Sequence, residues 1–184
     1  MTNFIPIFPL SLVVYPGEKL PLHIFEPRYK QLVAECFESK KPFGIPSVVN
    51  NQLQEMGTLV QITEVVKVYD TGEMDIKTEG MAVFKVLEMI KTVPDKLYSG
   101  AIVNYPANVQ LTPDRDLMDK VLTGIRELHR LLNITKDFKK TDNELTAYDV
   151  AHHAGMSLDE EYELLGLMQE LQRQEYIRRH LQKV

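Results

Sequence analysis

Apolar residues in the first 110 positions alternate with polar ones in short runs, which glycine, proline and asparagine interrupt. An apolar residue at every second position turns one face of a strand toward a core, so each run predicts a β-strand. The predicted strands cover residues 4–8, 19–24, 43–48, 57–69, 74–78, 82–90 and 98–105. Pro16-Gly17 and Asp70-Thr71-Gly72 predict turns with glycine in the left-handed conformation, and the run 57–69 is long enough to require a bend or a bulge.

One helix interrupts these strands. Glu26-Pro27 predicts its start, because proline suits the first helical position, where its missing N–H would have had no partner. Apolar residues then recur at three and four positions and predict a buried stripe of Tyr29, Leu32, Val33, Cys36 and Phe37.

The last part of the chain has few helix breakers and shows helical periodicity. Thr112-Pro113 predicts the start of a first helix, and a capping box of Thr141 and Glu144 predicts the start of a second that ends at Gly155. A second capping box, Ser157 with Glu160, predicts one long helix whose apolar stripe runs through Leu164, Met168, Leu171, Ile177 and Leu181.

These patterns predict an α+β chain in two parts. Residues 1–110 form a β-rich lobe with one inserted helix, and residues 111–184 form a helical lobe packed on it. The segment 104–110 is the predicted joint between them.

Composition narrows the class of protein. The 184 residues carry 21 Lys and Arg against 26 Asp and Glu, a formal net charge of −5, which disfavours nucleic acid as a partner. The sequence contains no run of about 18 apolar residues, so it predicts no membrane span. The N-terminus does not have the pattern of a secretory signal. The single cysteine, Cys36, excludes an internal disulfide, and we expect a cytoplasmic location.

Familiar catalytic motifs are missing. No pair of glycines has the spacing of a nucleotide-binding loop, and the adjacent His152 and His153 would point about 100° apart on a helix, which is the wrong spacing for a metal pair. Cys36 with His23 could form a nucleophile and base, but a small apolar residue on the buried helix face is the simpler interpretation of Cys36. We therefore predict no catalytic residue, no metal and no cofactor.

Three segments resemble the LON substrate-binding domain, the N-terminal domain of the ATP-dependent protease Lon, which also occurs as a small stand-alone bacterial protein. The first is PLSLVVYPG at 9–17 followed by LPLHIFEPRY at 20–29. The second is GTLVQI at 57–62, the turn at 70–72, Ile76 and the run 80–86, where Val83 replaces the arginine usual in the family. The third is LDEEYELL at 158–165 with ELQR at 170–173.

The resemblance implies a PUA-like β pseudobarrel followed by a C-terminal helical bundle. It also implies a non-catalytic domain that recognises unfolded or extended polypeptides or a partner protein. Lon's ATPase and protease domains would begin where this sequence ends, so we expect a stand-alone form without them. Homodimerisation is compatible with an apolar recognition face.

An apolar peptide-binding surface is expected around the turn and the helix entry. The candidate residues are Tyr15, His23, Phe25, Glu26, Arg28 and Tyr29. Two alternatives remain open at this point. One is that Phe25 and Tyr29 belong to the core. The other is that the chain is a PUA-like small-ligand or RNA-binding module.

Overall fold

The computed structural model describes residues 3–109 and 112–183. The order of elements is β1 (Asn3–Pro6), β2 (Lys19–Ile24), α1 (Pro27–Ser39), β3 (Phe43–Val49), β4 (Gln52–Val68), β5 (Met74–Ile90), β6 (Gly100–Asn104), α2 (Arg115–Leu131), α3 (Ala147–Val150), α4 (Leu158–Leu165) and α5 (Glu170–Gln182). The chain forms two compact units that divide after Pro106. The predicted boundary between residues 110 and 111 lies outside the described residues, and the packing of one lobe on the other stays a prediction.

The first unit is built on a six-stranded antiparallel sheet, which confirms the α+β class. The strand order is β1-β6-β5-β4-β3, and β2 pairs with β5. Residues just after β1 also reach β3, because the Phe8 N–H donates to the Gly44 carbonyl oxygen at 2.8 Å and Ile7 and Leu10 form parallel bridges to Gly44 and Ser47.

Two long strands, β4 and β5, form the centre of this sheet. The sequence predicted three shorter strands in the same region and seven strands in all. β4 and β5 are 17 residues each, and the predicted strands 74–78 and 82–90 are one strand through Gly80. A side chain at Gly80 would lie 2.3 Å from the Tyr15 carbonyl oxygen, so glycine is needed for the close approach of that loop and does not end the strand. The bulges expected in the run 57–69 are present after Leu59, Ile62 and Val65.

Helix α1 begins at Pro27 with Glu26 as its N-cap, as predicted. Its stripe of Tyr29, Leu32, Val33 and Cys36 is buried against the sheet, in a core that also holds Phe8, Phe43, Val60 and Ile76. The prediction for Phe37 is wrong: it borders the stripe but is 48% exposed.

In its described residues, the second unit contains four helices and short 3₁₀ turns. Two of the predicted helices differ from those observed. Thr141 and Glu144 do form a capping box, but it caps a single 3₁₀ turn, and a second box of Thr146 and Asp149 starts the short helix α3. The first predicted helix begins at Arg115 with Asp114 as its cap, two residues beyond the expected start.

The long helix predicted from Ser157 is also wrong, because it is broken between α4 and α5. Ser157 and Glu160 form the predicted box, but the helix stops at Leu165. The backbone at Met168 and Glu170 instead bonds to Val109, and a buried Arg173 donates to the Leu167 carbonyl oxygen. The break turns Leu171 outward, to 58% exposure, and turns Arg173 and Gln174 inward. Among the described residues, no helix has the length and apolar character required to cross a membrane.

Candidate functional site

His23 lies on the outer face of β2, opposite Asp75 of β5. Its Nδ1 is 2.6 Å from Asp75 Oδ1 and its Nε2 is 3.0 Å from Glu73 Oε1. Both partners are carboxylates, which accept hydrogen bonds when ionised, so the arrangement favours the imidazolium form of His23, in which both ring nitrogens donate. The hydrogen bonds to Asp75 and then to Glu73 raise the pKa of His23 above its usual value.

The carboxylates around His23 are themselves held in place. Tyr69 donates its hydroxyl hydrogen to Asp75, and Thr71 donates to Glu73 at 2.7 Å. The pKa of Asp75 is lowered by the bonds from Tyr69 and His23, and that of Glu73 by the bonds from Thr71 and His23. The end of the β4–β5 hairpin is therefore fixed to β2 by a charged network.

Phe25 stands beside this network and is the most exposed apolar residue of the predicted site, at 59%. Its ring is stacked near that of His23, with centroids 6.2 Å apart and planes at 24°. Next to it, the Arg28 guanidinium donates to Glu26 Oε2 at 3.0 and 3.2 Å. We call this surface the Phe25 patch; it comprises His23, Phe25, Glu26 and Arg28.

The structure places the other two predicted site residues in the core. Tyr15 has 0% exposure, and its carbonyl oxygen faces Gly80. Tyr29 is 8% exposed and is stacked on Phe8 with ring centroids 3.8 Å apart, although the Arg28 guanidinium covers it at 4.9 Å from the ring centroid. The core alternative is therefore right for Tyr29 and wrong for Phe25, and neither tyrosine side chain is open to a ligand in this conformation.

A large open cleft lies elsewhere on the same unit. Its volume is about 1000 Å³, and all four residues of β1 line it. The remaining walls come from the end of α1, the two residues before β3, one residue each of β4 and β5, and the segments that carry Lys96, Tyr98 and Tyr105. At its rim, Glu35 accepts hydrogen bonds from Tyr98 at 2.6 Å and Lys96 at 2.9 Å. Sequence reasoning missed this cleft, although two prolines, Pro6 and Pro42, mark it.

The reactive-group alternatives receive no geometric support in the described residues. Cys36 is buried, and desolvation raises the pKa of its thiol to about 11, so it is a poor nucleophile at neutral pH. His23, its proposed base, bonds to Asp75 and Glu73. Among residues 3–109 and 112–183, no cluster of three His, Cys, Asp or Glu side chains is arranged to hold a metal ion.

The family model of the ATP-dependent protease La (LON) substrate-binding domain matches residues 5–183. The chain belongs to this family. The match spans both units and all three segments in which the sequence resembles the family.

Two solved structures have the same fold. The Lon N-terminal domain protein from Xanthomonas campestris is 23% identical, with a TM-score of 0.67 over 94% of this chain and 95% of that one. The N-terminal domain of the Mycobacterium avium complex Lon protease is 12% identical, with a TM-score of 0.71 over 98% of both chains. The predicted family is thus confirmed, and the protein is a Lon-like recognition domain.

One departure from the family pattern can be placed in this fold. Val83, which stands where the family usually has arginine, is a buried residue of β5 opposite Thr58. An apolar side chain suits this position, because no charge has to be removed from water.

Proposed function

We propose that this chain is a non-catalytic domain that binds unfolded or extended segments of other proteins. The observation that carries the proposal is the solvent-exposed ring of Phe25 beside a charged, hydrogen-bonded network. The family supplies the context, since its description is that of a substrate-binding domain.

The Phe25 patch has the physical properties that such binding needs. A large apolar ring gains free energy from contact with any apolar side chain, so the interaction asks little of the partner's sequence. The two carboxylates that hold His23 fix the base of the patch before binding, which reduces the entropy lost when a partner docks. Because the patch is open rather than a deep pocket, we expect weak affinity.

We also propose that the sheet closes into a PUA-like pseudobarrel. The support is that the strand order begins with β1 and ends with β3, while residues 7 to 10 bond to β3 in parallel. A sheet whose two ends bond to each other has few free edges, and this makes it a stable platform for a recognition surface.

The test is the binding of a permanently unfolded protein, reduced and carbamidomethylated α-lactalbumin, measured by fluorescence anisotropy. We expect Phe25→Ala to weaken binding by about fivefold to tenfold, in proportion to the apolar area lost. Phe37→Ala is the matched control, because it removes an exposed phenylalanine from the same unit. Equal effects of the two variants, or no binding by the unchanged protein up to high micromolar concentrations, would refute the proposal.

The competing interpretation is a small-ligand or RNA-binding module. The 1000 Å³ cleft has the size of a small-molecule site. Its charged lining residues are Glu35, Glu38, Lys41 and Lys96, which balance to zero and give phosphate no net attraction. Retention on heparin at moderate salt would favour the RNA interpretation.

We also propose that two copies of the chain form a homodimer through the Phe25 patch. Analytical ultracentrifugation tests this, because Phe25→Ala should weaken the dimer and Phe37→Ala should not.

A further inference from the structure

The cleft beside β1 exposes an unpaired strand edge, and the direction of its backbone groups can be derived. The Ile7 N–H donates to the Ser99 carbonyl oxygen on the β6 side. Because backbone groups alternate along a strand, Asn3 and Ile5 also face β6, whereas Phe4, Pro6 and Phe8 face the opposite way. Phe8 confirms this phase, since its N–H donates to Gly44 of β3.

Two prolines stop the pairing with β3 before it reaches β1. The parallel register of Ile7 with Gly44 and Leu10 with Ser47 would place Pro42 next in line. Extending the parallel ladder to Pro42 would need two hydrogen bonds: one from the nitrogen of Pro42 to the Phe4 carbonyl oxygen, and one from the nitrogen of Pro6 to the Pro42 carbonyl oxygen. Neither proline nitrogen carries a hydrogen, so neither bond can form.

The result is a slot whose one wall is a strand edge. Asn3, Phe4, Ile5 and Pro6 line it on one side, and Lys41 and Pro42 line it on the other. Within the part of the chain that the structure describes, no backbone hydrogen bond joins Phe4 to β3, which leaves both its N–H and its carbonyl oxygen directed into the slot. Leu59 and Ala82 contribute further apolar lining.

We propose that this slot binds one extended, uncharged polypeptide segment as an added β-strand, hydrogen-bonded to Phe4. The N–H and the carbonyl oxygen of Phe4 can bond to the backbone of an added strand. The positive and negative side chains that line the slot balance, which favours a segment of no net charge. Four residues of β1 offer about 13 Å of edge, enough for about four residues of the ligand. Binding through backbone groups does not depend on the sequence of the ligand, as the recognition of unfolded proteins requires. The proposal rests on the proposed function for the class of ligand, a polypeptide.

The experiment uses the full chain and a capped hexapeptide of alternating valine and threonine, in forms that differ only by backbone N-methylation. An extended peptide has two hydrogen-bonding edges, so methylation along one edge leaves the other free. We expect the one-edge-methylated peptide to bind, and the peptide methylated on both edges to bind about tenfold more weakly or not at all. Hydrogen exchange at the Phe4 amide should slow when the one-edge form is added. Equal affinities for the two forms, or unchanged exchange at Phe4, would overturn the proposal.

A variant that closes the slot gives a second test. Pro6→Ala with Pro42→Ala restores the two missing N–H groups, so the ladder can extend and binding of the one-edge peptide should fall about tenfold while the protein stays folded. Pro94→Ala, at an exposed loop position, is the control and should bind normally. If the folded double variant binds as well as the control, the slot is not the site. The hexapeptide assay can fail while unfolded α-lactalbumin still binds through Phe25, so the two proposals are separable.

Discussion

The ionisation of His23 depends on the fold. In the unfolded chain its pKa is near 6.5, and in the folded protein Asp75 and Glu73 raise it. A raised pKa means that this stabilisation is complete below about pH 6.5 and is lost as the pH rises through the folded value. The carboxylates have lowered pKa values, so their contribution is present above about pH 4.5 and is lost as the pH falls through the folded values.

We therefore predict that the hairpin network stabilises the fold most between about pH 4.5 and 6.5. An NMR titration of the His23 ring should give a pKa above 6.5. Asp75→Asn should lower that pKa, because a neutral amide replaces the carboxylate that contributes most to raising it. Glu64→Gln removes a charge from the same hairpin, where Glu64 pairs with Lys77, and should leave the titration unchanged. A His23 pKa at or below 6.5 in the unchanged protein would contradict the network.

Arg173 is a buried charge in the second unit. Its guanidinium donates to Asn108 at 3.0 Å and to the Leu167 carbonyl oxygen at 2.9 Å, and its Cζ lies 4.1 Å from the centroid of Tyr148. Glu170, 3.5 Å away and also buried, accepts from the Ala147 N–H. The planar guanidinium of Arg173 thus joins four segments of this unit.

Arg173→Met is expected to lower the free energy of unfolding by about 3–5 kcal/mol, because it leaves Glu170 buried without its partner. Arg173→Lys should not restore stability, since an ammonium group cannot reproduce the fork. Arg130→Met, which breaks an exposed pair with Glu127, is the control and should cost less than about 1 kcal/mol. Urea denaturation measures all three, and equal losses for Arg173→Met and Arg130→Met would exclude the role given to Arg173.

At the scale of the elements, the long strand β5 depends on Gly80. Its N–H donates to the Glu18 carbonyl oxygen at 2.8 Å, and its own carbonyl oxygen accepts from Gly17 at 2.9 Å. The turn at residues 15–18 therefore lies directly on the strand, with no room for a side chain at position 80.

Gly80→Ala should destabilise the protein by about 1–3 kcal/mol or more, because a methyl group would overlap the backbone of Tyr15. Met81→Ala, at the exposed neighbouring position, should change stability by no more than about 0.5 kcal/mol. The midpoint of urea unfolding distinguishes the two. A folded Gly80→Ala variant as stable as Met81→Ala would show that the turn does not need this contact.

Local signals predicted where elements begin better than how long they run. The helix start at Pro27 and the capping box at Ser157 depend on neighbouring residues only, and both are confirmed. The break between α4 and α5 depends on Val109 and on the buried Arg173, which are contacts that no helical periodicity contains. The predicted break between two strands at Gly80 is wrong for the same reason. Gly80 lies within one strand and contacts the turn at residues 15–18, which is distant in sequence.

At the scale of the whole molecule, the sequence identified the family and part of the candidate site. His23 and Phe25 could be selected because they stand in a segment that resembles the family. Glu73 and Asp75 were missed, since only the pairing of β2 with β5 brings them across about 50 residues to His23. The cleft was missed because the effect of Pro6 and Pro42 can be recognised only when the register of residues 7 to 10 with β3 is known.

The most direct test of the account is whether the chain distinguishes an unfolded protein from the same protein folded. Native α-lactalbumin and its reduced, carbamidomethylated form differ chiefly in whether apolar side chains and backbone edges are exposed. We predict micromolar binding of the unfolded form, which Phe25→Ala weakens, and no measurable binding of the native form. Equal binding of both forms, or of neither, would contradict it.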